Sequence, residues 1–138
     1  MSRTAVVIYN LGGPDSPEAV RPFLKNLFSD PMILLVPRPV RWFLSWLISW
    51  RRTPVAQEIY AEIGGRSPIL PETEKQGAAL QKALGEEYRV FVAMRYWHPY
   101  ADAVAREVAE WKPDRVILLP LYPQFSTTTT ESFNRIWY

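Results

Sequence analysis

The sequence predicts an α/β fold in which helices cover both faces of a parallel sheet, built as one domain of 138 residues. Three short apolar runs indicate strands, at residues 5–11, 88–94 and 115–119. Helical segments separate these runs, and alternation of strand and helix favours right-handed crossovers and parallel pairing. The strands are apolar on both sides, as expected where both faces of a sheet are buried.

The first strand is expected at the centre of the sheet and ends in a tight turn, Gly12-Gly13-Pro14. Ser16 then provides an N-cap and Pro17 occupies the first helical position, which predicts a helix to about Phe28.

The segment that begins at Met32 and ends at Trp50 is unusually aromatic. Trp42, Trp46 and Trp50 recur every four residues, so they are expected along one face of a helix. The run is shorter than the ~20 apolar residues that span a bilayer. Three roles remain open for this face: core, the lip of a pocket, or a patch on a membrane surface.

Four further helices are predicted. Thr53-Pro54 caps one that ends at Gly64-Gly65, and Pro71 starts another that Gly85 closes. Residues 101–111 form a helix before the third strand, and residues 130–138 begin one more. Three strands make a thin sheet, so a fourth strand and a second domain are expected beyond residue 138.

Composition excludes several classes of site. The chain has no cysteine, so disulfides, iron–sulfur ligation and thiolate zinc sites are excluded. Its single histidine, His98, cannot form a His-rich metal centre, and its place before Pro99 favours a loop role over catalysis. A net charge of +2 does not indicate nucleic acid as a partner. The first residues resemble a strand rather than a signal peptide, which predicts a cytoplasmic setting.

Ligands of open parallel sheets bind outside the carboxyl ends of the strands. Each of the three predicted strands ends in an unusual loop, at residues 10–14, 95–99 and 120–126. We expect these loops to meet at one edge of the sheet. Arg51 and Arg52 stand beside the predicted helix start at Thr53; because a helix N-terminus disfavours cations, the pair favours an anionic partner over a solvated helix start.

The three loops, together with Arg51-Arg52-Thr53-Pro54 and the Ile-Gly-Gly-Arg-Ser-Pro-Ile run at residues 63–69, resemble the N-terminal half of the ferrochelatase family. The resemblance covers residues 6–134. It implies a chelatase-like fold and a lyase of haem biosynthesis that inserts ferrous iron into a porphyrin, with iron as a substrate and no permanently bound cofactor. It also implies that the segment from Met32 to Trp50 forms the apolar lip of the pocket.

The same resemblance implies a set of substrate-binding residues. They are Leu11 and Leu27 on the porphyrin face; Arg51, Arg52, Tyr60 and Ser67 near the propionates; Arg95 and Tyr96 along the inner cleft; and Tyr122, Gln124 and Ser126 in a polar wall. A porphyrin is an apolar disc edged by carboxylates, and apolar walls with arginine forks suit it.

The chain departs from the family pattern in two respects. Glu131 stands where the family has a glycine, which leaves the loop geometry there open. The family's proton-accepting histidine and its partner glutamate lie in the C-terminal half and have no counterpart here, so no catalytic or metal-ligating residue is expected in this chain. We therefore expect the isolated chain to be inactive and its partner to be the C-terminal half or another chain. The alternative is a non-catalytic tetrapyrrole- or anion-binding module, or a subunit that needs a partner chain.

Overall fold

The computed structural model describes residues 2–122 and 124–138. The chain divides into two compact units. The sheet unit contains the residues up to Gly12 and Ile69–Tyr138, and the helical unit contains Gly13–Pro68. That the whole chain forms one domain stays a prediction.

The sheet unit is built on three parallel strands in the order β2-β1-β3. They are β1 (Thr4–Asn10), β2 (Tyr88–Met94) and β3 (Arg115–Pro120). Thr4 lies opposite the first residue of both neighbouring strands, so the three strands start in register. The three predicted strands, their parallel pairing and the central place of the first strand are confirmed.

One face of the sheet is covered by α3 (Ile69–Leu84). The helix comes close to the strands at Gly77, where an added Cβ would stand 3.3 Å from methyl groups of Ile8 and Val92. A small residue at this position therefore sets the spacing between helix and sheet.

The other face is covered by α4 (Ala101–Trp111) and α5 (Ser132–Trp137). Side chains alternate along a strand, so the residues that face these helices are the neighbours of those that face α3. Phe133 is fully buried and stacks on the ring of Tyr9 at 3.8 Å between centroids. The predicted cover of helices on both faces is confirmed. This core contains Ala5, Val7, Tyr9, Phe91, Ala93, Ala101, Val104, Val108 and Phe133.

The helical unit contains a 3₁₀ turn (Pro17–Ala19), α1 (Val20–Phe28) and α2 (Arg38–Ala61). The Ser16 hydroxyl accepts a hydrogen bond from the Ala19 amide at 3.2 Å, as its predicted role as N-cap requires. Helices α1 and α2 pack against each other.

Helix α2 continues through Pro54 for 24 residues, so the predicted separate helix starting at Thr53-Pro54 is wrong. Pro54 has no N–H for the Trp50 carbonyl, which removes one helical hydrogen bond. The Thr53 hydroxyl donates to the Ser49 carbonyl within the helix instead of capping a new one. Because α1 packs along α2, tertiary contact offsets the lost bond.

Candidate functional site

The carboxyl ends of the three strands meet at one edge of the sheet unit. Beyond β2, the amide of Tyr96 donates to the carbonyl of Leu11 at 3.0 Å. Beyond β3, the amide of Leu121 donates to the carbonyl of Tyr9 at 3.0 Å. Main-chain hydrogen bonds thus extend the pairing past the strand ends and hold the three loops side by side.

The loop after β1 requires glycine at position 12. Gly12 has a φ of +94°, and an added Cβ would lie 3.2 Å from Met94 Cβ and 3.3 Å from the Trp97 amide nitrogen. Neither neighbour is the flexible end of a side chain, so a larger residue would displace the loop after β2. That loop carries Arg95 and Tyr96.

Arg95 and Tyr96 share a hydrogen-bonding partner on α5. The Arg95 Nε–H donates to the Ser132 hydroxyl at 2.8 Å, and the Tyr96 hydroxyl lies 3.2 Å from the same oxygen. The Arg95 guanidinium also lies over the Tyr96 ring, 4.7 Å from its centroid. Tyr96 is fully buried and Arg95 half-buried, so this edge presents a cation held against an aromatic ring.

Tyr122, just after β3, contributes a second aromatic wall at the same edge. Its ring packs edge-on against Tyr9 at 6.1 Å. Its hydroxyl is buried and has no hydrogen-bonding partner among the described residues. Burial raises the pKa of Tyr122 well above its ordinary value, the nearby phenols of Tyr96 and Tyr9 raise it further, and Arg95 partly opposes them. The phenol therefore stays neutral and keeps its O–H as a hydrogen-bond donor.

The rest of the predicted polar wall is less enclosed. Gln124 is exposed. The Ser126 hydroxyl accepts from the Thr128 amide at 3.2 Å and caps a π-helical turn, Thr127–Glu131. This turn precedes α5, where the sequence predicts a helix from residue 130. Ser126 therefore has a structural role in addition to any contact with a ligand.

The backbone conformation at Glu131 is one that does not require glycine. Its φ of −66° and ψ of −39° are ordinary helical values, and its carboxylate lies 3.6 Å from Arg135 Nε, one turn further along. Glutamate in place of the family's glycine therefore fits the backbone here, because Glu131 directly precedes α5 and has a helical conformation.

In the helical unit, Arg51 and Arg52 are exposed and lie in the interior of α2. The prediction that they stand beside a helix N-terminus is wrong, because α2 does not end at Pro54, and the dipole argument for an anionic partner loses its basis. Both residues nevertheless line a groove of about 460 Å³ whose walls include Leu24 and Ile59. The Arg52 guanidinium lies 5.6 Å from the Phe28 ring centroid. The groove is apolar with a cationic edge.

The remaining predicted residues of this unit lie on α1 and around the end of α2. Leu27 is half-buried on α1. The Tyr60 carbonyl accepts from the Gly65 amide at 2.8 Å, and burial raises the pKa of the Tyr60 phenol. The Ser67 amide donates to the Pro14 carbonyl at 2.7 Å. This bond fixes the end of the loop that follows α2.

The tryptophans of α2 form an exposed aromatic face. Trp42 is 66% exposed and Trp50 55%, while Trp46 stacks on Trp50 with ring centroids 6.3 Å apart. The small residues Ser45 and Ser49, between these tryptophans in sequence, are buried. The predicted alignment along one face is confirmed, and of the three roles left open this exposure rules out the core. Among the described residues, no helix has both the length and the apolar character needed to cross a bilayer.

His98 is exposed, and its ring packs against Tyr100 at 4.6 Å and Trp97 at 5.1 Å. These ring contacts account for its place in the loop. Within residues 2–122 and 124–138, no three side chains of the types His, Cys, Asp or Glu come together as metal ligands.

The structure thus brings predicted residues together in two sets, one within each unit. Leu11, Arg95, Tyr96 and Tyr122 share an edge of the sheet unit, and Arg51 and Arg52 share a groove of the helical unit. Sequence reasoning missed Ser132. Ser132 follows a run of threonines, and nothing in the sequence distinguishes its hydroxyl from theirs. Its contact with Arg95, 37 positions earlier, is therefore visible only in the structure.

Comparison with known proteins gives a consistent result. A family model named Ferrochelatase matches residues 3–138. The chain is 57% identical to a ferrochelatase of Caulobacter vibrioides over 98% of its own length and 40% of the relative's. It is 55% identical to one of Hyphomonas neptunium, with 99% and 40% covered, and 52% identical to one of a Wolbachia strain, with 98% and 44% covered. The chain therefore spans about 40% of the length of these curated relatives.

Proposed function

Because this chain belongs to the ferrochelatase family, we propose that it supplies the porphyrin-binding walls and arginines of an enzyme that inserts ferrous iron into protoporphyrin. The observation that carries the proposal is the meeting of Leu11, Arg95, Tyr96 and Tyr122 at the edge where parallel sheets bind ligands.

The chemistry of these side chains suits a tetrapyrrole. Tyr122 and Leu11 offer flat and apolar contact, and the Arg95 guanidinium offers a planar fork of donors for a carboxylate or for metal-bound water. In the helical unit, Arg51 and Arg52 edge an apolar groove and are suited to propionates. Leu27, Tyr60 and Ser67, with Gln124 and Ser126 of the sheet unit, are proposed as further contacts to the substrate.

We propose that the aromatic face of α2 acts as the lip that grips the macrocycle. Gripping matters because a bent porphyrin turns a pyrrole nitrogen lone pair out of the ring plane toward the incoming metal. Contact with a membrane surface is the alternative for the same face, since three exposed tryptophans suit an interface between water and lipid.

Metal insertion also needs a base that accepts the two pyrrole protons. We propose that this base comes from the C-terminal half of the enzyme or from another chain, because no residue here matches the family's histidine and glutamate. We therefore expect the 138-residue chain alone to insert no metal. The test is a fluorescence assay with protoporphyrin and ferrous iron or zinc. Metalloporphyrin formed faster than in the protein-free control would contradict this expectation.

Porphyrin binding tests the rest of the proposal. The chain should quench porphyrin fluorescence saturably, and failure to bind would refute the assignment of the walls. The alternative function, a self-sufficient tetrapyrrole- or anion-binding module, predicts a monodisperse monomer in size-exclusion chromatography. A chain that supplies part of a larger site should instead dimerise or aggregate, because its exposed apolar residues lack cover.

A further inference from the structure

Ser132 occupies a position in which its hydroxyl faces the protein interior. The residue is 1% exposed and is the first residue of α5. Its neighbour Phe133 is fully buried and stacks on Tyr9 of the central strand. The hydroxyl is therefore attached to a helix start that is anchored on the sheet by a tightly packed ring.

The hydroxyl of Ser132 can form hydrogen bonds with two neighbours at once. It has one hydrogen and two lone pairs, so it can accept from Arg95 Nε and also bond with the Tyr96 hydroxyl. The two distances, 2.8 and 3.2 Å, are both within hydrogen-bonding range.

A bond at Nε sets the direction of the whole guanidinium, because its donors form a rigid planar fork. The Tyr96 ring, 4.7 Å from the guanidinium carbon, restrains the same group from a second direction. Since Tyr96 itself bonds with Ser132, one hydroxyl orients both the cation and the ring on which it lies.

We propose that Ser132 is a positioning residue that holds the Arg95 guanidinium, directly and through the buried Tyr96 ring, in a fixed orientation toward an anionic group of the substrate, a carboxylate or a metal-bound water. The roles of Arg95 and Tyr96 in this statement rest on the proposed function. The orientation itself does not, and it can be measured separately.

The first experiment measures the orientation. In ¹⁵N-labelled chain, the Arg95 Nε–H signal, assigned by its loss in Arg95→Ala, should exchange slowly with water. Ser132→Ala should accelerate this exchange at least about tenfold, because the acceptor is gone, whereas Ser132→Thr should retain protection. Thr73→Val removes another buried hydroxyl, on α3, and should leave the signal unchanged. Unchanged exchange in Ser132→Ala would overturn the proposal.

Circular dichroism establishes that each variant is folded. If Ser132→Ala does not fold, Ser132→Cys replaces it, since a thiol has similar volume but is a weak acceptor. Protection that persists in a folded Ser132→Cys chain would count against the proposal in the same way.

The second experiment is a double-mutant cycle in porphyrin binding. Ser132→Ala should weaken binding about tenfold in the wild-type background and less than about twofold in the Arg95→Ala background, because the hydroxyl acts through the guanidinium. Equal losses in both backgrounds would overturn the positioning role. A wild-type chain that binds no porphyrin would contradict the proposed function, and the exchange experiment would still decide the role of Ser132.

Discussion

The replacement of Gly12 by alanine combines two costs that the structure separates. The φ of +94° strains any residue with a Cβ, at about 1–3 kcal/mol. The added methyl would also stand 3.2 Å from Met94 Cβ and 3.3 Å from the Trp97 amide nitrogen. Relief requires a backbone shift, and overpacking of this kind costs roughly 1–3 kcal/mol. Gly12→Ala should therefore lower the free energy of unfolding by about 2–6 kcal/mol.

Gly85→Ala is the matched control, because Gly85 is in the same unit and has a φ of +87°. Apart from its chain neighbours, no described residue has an atom within 4 Å of a Cβ added there. Gly85→Ala should therefore show only the cost of placing alanine at a positive φ. The loss of conformational entropy in the unfolded chain is the same in both Gly→Ala variants. Urea unfolding followed by circular dichroism gives both values. If the two substitutions lower the free energy of unfolding by amounts that agree within about 0.5 kcal/mol, the close approach of the loops after β1 and β2 is refuted. Porphyrin affinity should fall only in Gly12→Ala, since the displaced loop carries Arg95 and Tyr96.

Two further predictions concern individual side chains. Arg52→Ala should weaken porphyrin binding about tenfold, and Arg115→Ala, at the start of β3, should have little effect; equal losses in fluorescence titrations would argue against a propionate contact. Tyr122→Phe should be at least as stable as the wild type at pH 7, because the lost hydroxyl is buried without a partner among the described residues. The raised pKa of Tyr122 stabilises the fold below the ordinary tyrosine pKa of about 10, and that contribution is lost as the pH rises further, because the unfolded chain ionises first. Urea unfolding between pH 8 and 11 should therefore show a steeper loss for wild type than for Tyr122→Phe, and parallel curves would exclude a buried phenol.

Several features of the fold could be predicted because they depend on local pattern. Tyr88–Met94 and Ala101–Trp111 have the predicted bounds, since a β-branched run and a 3.6-residue period are readable without tertiary contacts. The meeting of the three loops follows from the parallel order of the strands, because parallel strands end at one edge.

The break predicted at Thr53-Pro54 shows where local pattern fails. A proline after a threonine is a common helix start, but the cost of one missing bond is smaller than the gain from packing α2 along α1. The helix-dipole argument about Arg51 and Arg52 depended on that break and failed with it. The aromatic period, in contrast, established that the tryptophans share a face but not that the face is exposed.

The sequence by itself determined the strands, their parallel order and the edge at which Leu11, Arg95 and Tyr122 meet, because short-range periodicity and chain handedness govern all three. Only the tertiary structure decided that α2 is continuous and that the Ser132 hydroxyl bonds to Arg95 and Tyr96. These outcomes depend on contacts between segments far apart in the chain, whose energies no local pattern of residues encodes.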